Sequence, residues 1–186
     1  MPRLFAGFEI PTDIVERLAL WRAGLPGARW IDPSNYHLTL RFIGDVDGHT
    51  AHEIDAVLAE IRPRAPISVV FEGFDVFGGE RPHALIVRAK LTPELADLQA
   101  EIERRLRRAG LSPEKRKFVP HVTLARLRGV DPLSAADYIA RQGQFPALRF
   151  DAGHVCLFSA RDITGGGPYL VEAAYPFAGM EMAAYR

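Results

Sequence analysis

The tetrapeptide HLTL at residues 37–40 recurs as HVTL at residues 121–124. Both copies lie in apolar stretches, YHLTLRFIG and KFVPHVTLARL, whose composition is typical of β-strands. Because residues i and i+2 of a strand point to the same face, each copy places one imidazole and one hydroxyl on one face. The two apolar residues of each copy point to the other face, where a core can hold them. The repeat therefore predicts two equivalent strands that each present a histidine and a threonine.

Outward from these motifs, the chain alternates predicted strands and helices. The clearest helix lies in LTPELADLQAEIERRLRRAG, where Thr92 suits the N-cap, Pro93 suits the first helical position and Gly110 suits the end. Its buried stripe is predicted to be Leu95, Leu98, Ile102 and Leu106. Strands are predicted at 3–10, 36–44, 67–77, 83–90, 117–127, 148–160 and 169–177, and helices at 11–25, 51–61, 91–110 and 133–142. A strand-helix-strand order in each half predicts an α+β fold.

The composition narrows the classes of protein that the chain can belong to. With 186 residues, 48% of them hydrophobic and 25% charged, it suits one globular core. No apolar run approaches the roughly 20 residues of a membrane helix, so we expect no membrane partner. The single Cys156 excludes an internal disulfide, which favours a cytoplasmic location, and the net charge of zero argues against bulk electrostatic binding of nucleic acid. A polyanionic substrate would therefore have to be held by a local patch of the surface.

The paired motifs suggest a specific chemistry. A lone strand histidine is usually structural, but opening a phosphodiester with water needs a base on the attacking side and an acid at the leaving oxygen. His37 and His121 on facing strands would supply both groups, since an imidazole titrates near neutral pH. Thr39 and Thr123 could donate hydrogen bonds to the non-bridging oxygens. This scheme requires no metal and no cofactor.

With these motifs in place, the sequence resembles the two-histidine (2H) phosphoesterase superfamily, in its LigT-like branch of RNA 2',3'-cyclic phosphodiesterases. The resemblance runs through RLFAGFEIP, RWIDPSNYHLTLRFIGDV, FGGERPHALIV, FVPHVTLAR and GPYLVEAAYPF, which together cover nearly the whole chain. It implies one domain over residues 1–186, built from two pseudo-symmetric lobes of antiparallel sheet. Helices would cover the outer faces, and an active-site groove would lie between the lobes.

The resemblance also implies an activity and roles for single residues. The expected reaction is hydrolysis of a 2',3'-cyclic phosphate on RNA, such as tRNA fragments, to a 2'-phosphomonoester, with 2'-5' RNA ligation as the related reverse reaction. His37 would be the general acid and His121 the general base, with Thr39 and Thr123 holding the phosphate. Arg126 matches the arginine that follows the second motif and would contact phosphate. Strand alternation alone, however, places residue 125 rather than 126 on the face of His121.

Other residues keep more than one interpretation. The same parity argument favours the core for Phe42, although Phe42 or Tyr169 could stack on a base. A basic cluster precedes the second motif and consists of Arg104, Arg105, Arg107, Arg108, Lys115, Arg116 and Lys117. It is interpreted either as a solvated helix end or as a surface that binds an RNA backbone. His49 and His52 are expected at the surface near the start of the helix predicted at 51–61, and no companion residues complete a zinc ligand set with them. No partner can be assigned to His83 or His154.

Two other functions stay open at the level of sequence. The chain could act on 2'-5' oligonucleotides, on cyclic nucleotides or on an ADP-ribose cyclic phosphate with the same chemistry. It could also be a non-catalytic module that binds RNA ends. The second alternative does not require two titrating groups, so the doubled motif favours an enzyme. The chain is expected to act as a monomer.

Overall fold

The computed structural model describes residues 3–61, 65–160 and 167–178. Its strands are β1 (Arg3–Glu9), β2 (Ala28–Trp30), β3 (His37–Asp45), β4 (Ile67–Phe77), β5 (Ala84–Ala89), β6 (His121–Leu127), β7 (Arg149–Ala152), β8 (His154–Ala160) and β9 (Tyr169–Pro176). Its helices are α1 (Thr12–Ala19), α2 (Gly48–Ala59), α3 (Pro93–Arg108) and α4 (Pro132–Arg141), with a 3-10 turn at Pro33–Asn35. Among the described residues, no helix has the length and apolar character needed to span a bilayer.

The strands form one antiparallel sheet that divides into two halves. Their order is β7-β4-β5-β6-β3-β1-β8-β9, with β2 added beside β6. The two motif-bearing strands, β3 and β6, are neighbours at the middle, where the register joins them at Leu38 and Val122. The predicted α+β class and antiparallel sheet are therefore confirmed, and the two motifs begin adjacent strands. The assignment of residues 1–186 to a single domain stays a prediction.

The helices cover the face of the sheet opposite to the histidines. The predicted stripe of α3 is confirmed, because Leu95, Leu98, Ile102 and Leu106 are all buried. Thr92 caps this helix by accepting a hydrogen bond from the backbone N–H of Leu95 at 3.3 Å. The apolar residues of both motifs, Leu38, Leu40, Val122 and Leu124, belong to the same core. Burial of this face leaves the face of the imidazoles available for a site.

Two segments differ from the sequence predictions. The short strand β2 is missed, because three residues are too few to show an alternating pattern, and its pairing with β6 is purely tertiary. The predicted strand 148–160 is two strands that separate at Gly153. Here β7 pairs with β4 in one half of the sheet, whereas β8 pairs with β1 in the other. The chain therefore passes from one half to the other within an apparently continuous apolar run.

Candidate active site

His37 and His121 occupy the same local geometry at the first residue of their strands. The Nδ1 atom of His37 lies 2.8 Å from the backbone oxygen of Asn35, and that of His121 lies 2.7 Å from the backbone oxygen of Val119. A carbonyl oxygen can only accept, so each Nδ1 carries the proton of a neutral ring. The lone pair of each neutral ring is thereby held on Nε2, the nitrogen left for proton transfer.

The turn before His37 is held by its own side chains. Asp32 caps the 3-10 turn, and its carboxylate accepts from the backbone N–H of Ser34 at 2.9 Å and from the Ser34 hydroxyl at 2.6 Å. Asn35 supplies its carbonyl to His37 and its side-chain oxygen to the backbone N–H of Tyr169 at 3.0 Å. Asn35 therefore connects the first histidine to strand β9, a role that the sequence does not reveal.

The surroundings of the two imidazoles differ. The ring of His37 lies 4.6 Å from the ring of Phe5 and 4.8 Å from that of Tyr169, which meets it edge-on. The ring of His121 has an edge-on contact of 4.7 Å with Phe77. His37 thus has two aromatic neighbours at this distance, Phe5 and Tyr169, whereas His121 has Phe77.

Both histidines are harder to protonate than a free imidazole. Burial lowers the pKa of His37 from 6.5 to about 4; the carbonyl of Asn35 opposes this shift, and the charges of His121 and Arg126 add to it. Burial also lowers the pKa of His121, with further lowering from Arg126 and Arg88. Arg126 acts on both imidazoles, which places them in one electrostatic environment. Both rings are therefore mainly neutral at pH 7 when no substrate is bound.

Each motif strand carries a β-bulge directly after its threonine. In β3, Thr39 pairs with Gly7 and Arg41 pairs with Ala6, so Leu40 has no opposite residue. In β6, Thr123 pairs with Ile86 and Ala125 pairs with Leu85, so Leu124 is the extra residue. A bulge shifts the alternation by one residue. In both strands the residue five positions after the histidine therefore returns to the face of the imidazole.

The bulges overturn two predictions that rested on strict alternation. Ala125 is fully buried, whereas Arg126 is exposed and lines the cavity with both histidines. Phe42 was expected in the core, but it is 40% exposed and lines the same cavity. Phe42 and Arg126 thus occupy equivalent positions in the two halves, one apolar and one cationic. The alternative placement of Arg126, implied by resemblance, agrees with its position.

The cavity has a volume of about 740 Å³ and opens along the junction of β3 and β6. His37, Thr39, His121, Thr123 and Arg126, the five residues selected from the sequence, all line it. Residues that the sequence did not single out as part of the site also line it: Phe5, Asn35, Phe77 and Gln99. Phe5, Phe77 and Gln99 come from β1, β4 and α3, distant along the chain from the motifs, so no local pattern could have identified them; Asn35 belongs to the turn just before His37. His83, which had no assigned partner, is another lining residue, with its ring 6.4 Å from that of Phe77.

The basic cluster before the second motif divides into two parts. Arg116 and Lys117 line the cavity, and Arg116 also forms an ion pair with Glu114 at 2.8 Å. Arg105 instead bridges Glu101 and Glu60 on the helical side. The C-terminal part of the cluster therefore suits a groove that binds anions, whereas Arg105 joins helices α2 and α3.

Comparison with known proteins finds relatives that match most of this chain. Residues 10–163 match the family model described as the 2'-5' RNA ligase superfamily. A Bacillus subtilis protein named RNA 2',3'-cyclic phosphodiesterase is 32% identical over 166 residues, covering 86% of this chain and 85% of the relative. An Aeropyrum pernix protein of the same name is 38% identical over 136 residues, covering 69% of this chain and 76% of the relative.

Solved structures show the same fold at lower sequence identity. The crystal structure of E. coli LigT complexed with 3'-AMP superposes with a TM-score of 0.76 at 20% identity, covering 96% of this chain and 99% of LigT. The structure of TT0787 from Thermus thermophilus gives a TM-score of 0.78 at 20% identity, covering 96% of this chain and 100% of TT0787. At this identity, the likeness establishes the arrangement of strands and helices.

Proposed function

The chain belongs to the 2'-5' RNA ligase superfamily, and from this membership we propose that it hydrolyses the 2',3'-cyclic phosphate at an RNA end to a 2'-phosphomonoester. The observation that carries the proposal is the pair of histidines with matching Nδ1 hydrogen bonds, on adjacent strands that face one cavity. The names of the curated relatives support the substrate class.

The reaction needs one proton removed and one proton delivered. The neutral ring of His121 takes a proton from water on its Nε2 atom as the water oxygen attacks phosphorus. The bond from phosphorus to the ribose 3' oxygen breaks, and protonated His37 donates its Nε2 proton to that oxygen. Water is consumed, the 2' ester remains, and the two imidazoles exchange protonation states with solvent before the next cycle. No metal takes part in these steps.

The phosphate is held by groups from both halves of the sheet. Thr39 and Thr123 lie two residues after their histidines and line the same cavity. In the proposal their hydroxyls donate to the non-bridging oxygens, where negative charge increases in the transition state. Arg126 adds a positive charge to this side, as the effect of Arg126 on both imidazoles indicates.

The low pKa of His37 fits the role of an acid only when substrate is bound. The pKa of about 4 describes the ring with no anion beside it. A phosphate close to His37 favours the imidazolium and raises its pKa. His37 therefore becomes protonated as substrate enters. The pKa of His121 is lowered in the free enzyme, which favours the neutral ring that a base requires.

The proposal predicts that each catalytic histidine is required for turnover. His37→Ala and His121→Ala should each lower kcat at least about a hundredfold, because each removes one proton-transfer group. The assay is hydrolysis of a 2',3'-cyclic nucleotide or a cyclic-ended oligonucleotide in EDTA, with separation of the 2' and 3' monoesters. His49→Ala is the control, since His49 lies 84% exposed on α2.

Each outcome of this assay has a defined meaning. Full turnover by either variant contradicts two-histidine catalysis, and a 3' monoester contradicts the assignment of His37 as the acid for the 3' oxygen. Binding of cyclic-ended RNA without any product would instead identify a non-catalytic module. Faster turnover of 2'-5' oligonucleotides or ADP-ribose cyclic phosphate would change the substrate and keep the chemistry.

The proposal also includes the setting in which the enzyme acts. It acts as a monomer in the cytoplasm, on RNA fragments with cyclic ends such as those of tRNA. The lone cysteine, Cys156, is buried and suits a reducing compartment. A sedimentation or light-scattering measurement at working concentration tests the monomer.

A further inference from the structure

Three side chains with metal-binding donor atoms converge beside the catalytic groove. Glu9 ends β1, and His154 and Cys156 lie on the neighbouring strand β8, where their spacing of two places them on one face. The Oε2 atom of Glu9 lies 3.2 Å from Nε2 of His154 and 3.4 Å from Sγ of Cys156. Within residues 3–61, 65–160 and 167–178, this is the one group of three such side chains whose donors all lie within 4.8 Å of one another.

These separations are close to those that a tetrahedral metal ion imposes on its ligands. Zinc bonds of about 2.3 Å to sulfur and about 2.0–2.2 Å to nitrogen or oxygen place neighbouring ligands about 3.4–3.6 Å apart at tetrahedral angles. The two distances from Glu9 are already near this range. Only the separation between Nε2 of His154 and Sγ of Cys156, which is at most 4.8 Å, would need to adjust, by up to about 1.4 Å.

We propose that Glu9, His154 and Cys156 form a binding site for Zn²⁺ or a related late transition-metal ion. One thiolate, one imidazole and one carboxylate form a set that suits Zn²⁺, whereas Mg²⁺ and Ca²⁺ prefer oxygen ligands alone. Of the three side chains, Glu9 also lines a second cavity of about 330 Å³. In the proposal a water molecule from this cavity is the fourth ligand, beside the three protein ligands.

Metal binding would replace the proton of Cys156. Burial and the negative charge of Glu9 raise the pKa of this thiol, so the metal-free protein keeps the S–H and donates it to Glu9. When the ion binds, sulfur loses this proton to solvent and His154 supplies the Nε2 lone pair. The divalent charge then balances one thiolate and one carboxylate. A neutral set of this kind suits a site in which the cysteine is fully buried.

This site is separate from the proposed hydrolysis, although the two are close in space. Glu9 pairs directly with His37 across β1 and β3, and both residues line the second cavity. None of the three ligands belongs to the proposed proton-transfer or phosphate-binding groups. Metal ions are therefore expected to strengthen the connection between β1 and β8 by binding the folded state, while hydrolysis continues in EDTA.

Cobalt provides a direct test, because a cobalt ion bound by thiolate shows sulfur-to-metal charge-transfer absorption. The protein, first stripped with EDTA and then titrated with Co²⁺, should develop this absorption with one ion per chain, and Zn²⁺ should displace it. Cys156→Ser should abolish the absorption, and His154→Gln should weaken Co²⁺ binding at least tenfold. His49→Ala is the matched control for loss of a histidine and should bind as the wild type does.

Hydrolysis in EDTA reports whether the variants are folded, because the proposed catalytic groups remain intact in them. If Cys156→Ser is inactive in EDTA, His154→Gln and Glu9→Gln take its place. Cobalt binding without charge-transfer absorption, or absorption that survives in all three variants, would overturn the site. Cobalt binding that disappears in the double variant His37→Ala/His121→Ala, but persists in His154→Gln, would place the metal on the catalytic imidazoles. This result would also overturn the proposed site. Wild-type protein that lacks hydrolytic activity yet binds cobalt through Cys156 would support the metal site and count only against the hydrolase.

Discussion

At the scale of single residues, the two histidines share one tautomer and differ in their surroundings. A backbone carbonyl two residues earlier holds Nδ1 in each case. His37 is surrounded by aromatic rings, and burial is the main cause of its lowered pKa. His121 is acted on by the charges of Arg88 and Arg126 in addition to burial. The same motif therefore produces two imidazoles whose pKa values are both lowered, in different surroundings.

The lowered pKa values of both histidines predict an acidic optimum for kcat/KM. The pH dependence of kcat/KM reports the pKa values of the free enzyme. The acid, His37, must be protonated, which favours a pH near or below about 4. The base, His121, must be neutral, which favours a pH above its lowered pKa. The product of the two required forms is greatest between these pKa values, so the optimum should lie below pH 6.5. The optimum of kcat should lie at a higher pH, because bound phosphate raises both pKa values.

Steady-state rates between pH 4 and 9 on a 2',3'-cyclic nucleotide measure both profiles, with the fold monitored at each pH by circular dichroism. The variant His83→Gln, which removes a third imidazole lining the cavity, should leave the positions of both limbs unchanged. An optimum for kcat/KM at or above pH 7 would contradict the assignment of the two limbs to His37 and His121.

At the scale of elements, the β-bulges of β3 and β6 determine which side chains enter the groove. Each bulge follows the threonine and brings the residue at the fifth position after the histidine into the cavity, Phe42 in one strand and Arg126 in the other. In β1, Gly7 makes room for this irregular pairing. A Cβ atom at Gly7 would lie 2.5 Å from the backbone oxygen of Leu38. The bulge of β3 is thus matched by a small residue on its partner strand β1.

Gly7→Ala should therefore reduce both stability and activity. The new methyl group meets backbone, which cannot rotate away, so we expect a loss of about 1–3 kcal/mol in the free energy of unfolding. Activity should fall as well, because Gly7 pairs with Thr39. Gly48→Ala, at the start of α2, is the control: its Cβ would have no heavy atom within 4 Å.

Urea denaturation gives the free energy of unfolding, and an unchanged m-value indicates that only stability has changed. A Gly7→Ala variant as stable as the Gly48→Ala control would show that the strands accommodate the methyl group. The close approach of β1 to Leu38 would then not explain the glycine.

At the scale of the whole molecule, a buried ion pair connects a motif strand to the longest helix. Arg41 of β3 is 6% exposed and donates to the carboxylate of Glu103 on α3. It also donates to the backbone oxygens of Phe42 and Ser112, the latter at 2.6 Å. Glu103 in turn accepts from the backbone N–H of Glu114 at 3.1 Å. This network ties the groove-lining end of β3 to the segment that leads into β6.

Breaking this network should destabilise the protein far more than breaking a surface pair. Glu103→Gln leaves the guanidinium of Arg41 buried without its counter-charge, and we expect a loss of about 3 kcal/mol in the free energy of unfolding. Glu53→Gln removes a pairing with His49 whose partners are 47% and 84% exposed, and should change stability by less than about 0.5 kcal/mol. Thermal or urea unfolding of both variants provides the comparison. Equal stabilities would contradict a structural role for the buried pair.

By itself, the sequence determined the features that depend on local periodicity. The period of two placed His37 with Thr39 and His121 with Thr123, and the period of 3.6 identified the buried stripe of α3. Capping residues located the start of that helix. These features follow from neighbours within a few residues, so they can be read before the chain is folded.

Only the tertiary structure decided the features that depend on how distant strands pair. The bulges at Leu40 and Leu124 appear only against β1 and β5, and they reversed the positions predicted for Phe42 and Arg126. The meeting of Glu9 with His154 and Cys156 likewise requires β1 and β8 to be neighbours. Alternation along one strand carries no information about an unpaired residue, because a bulge is a property of two strands together.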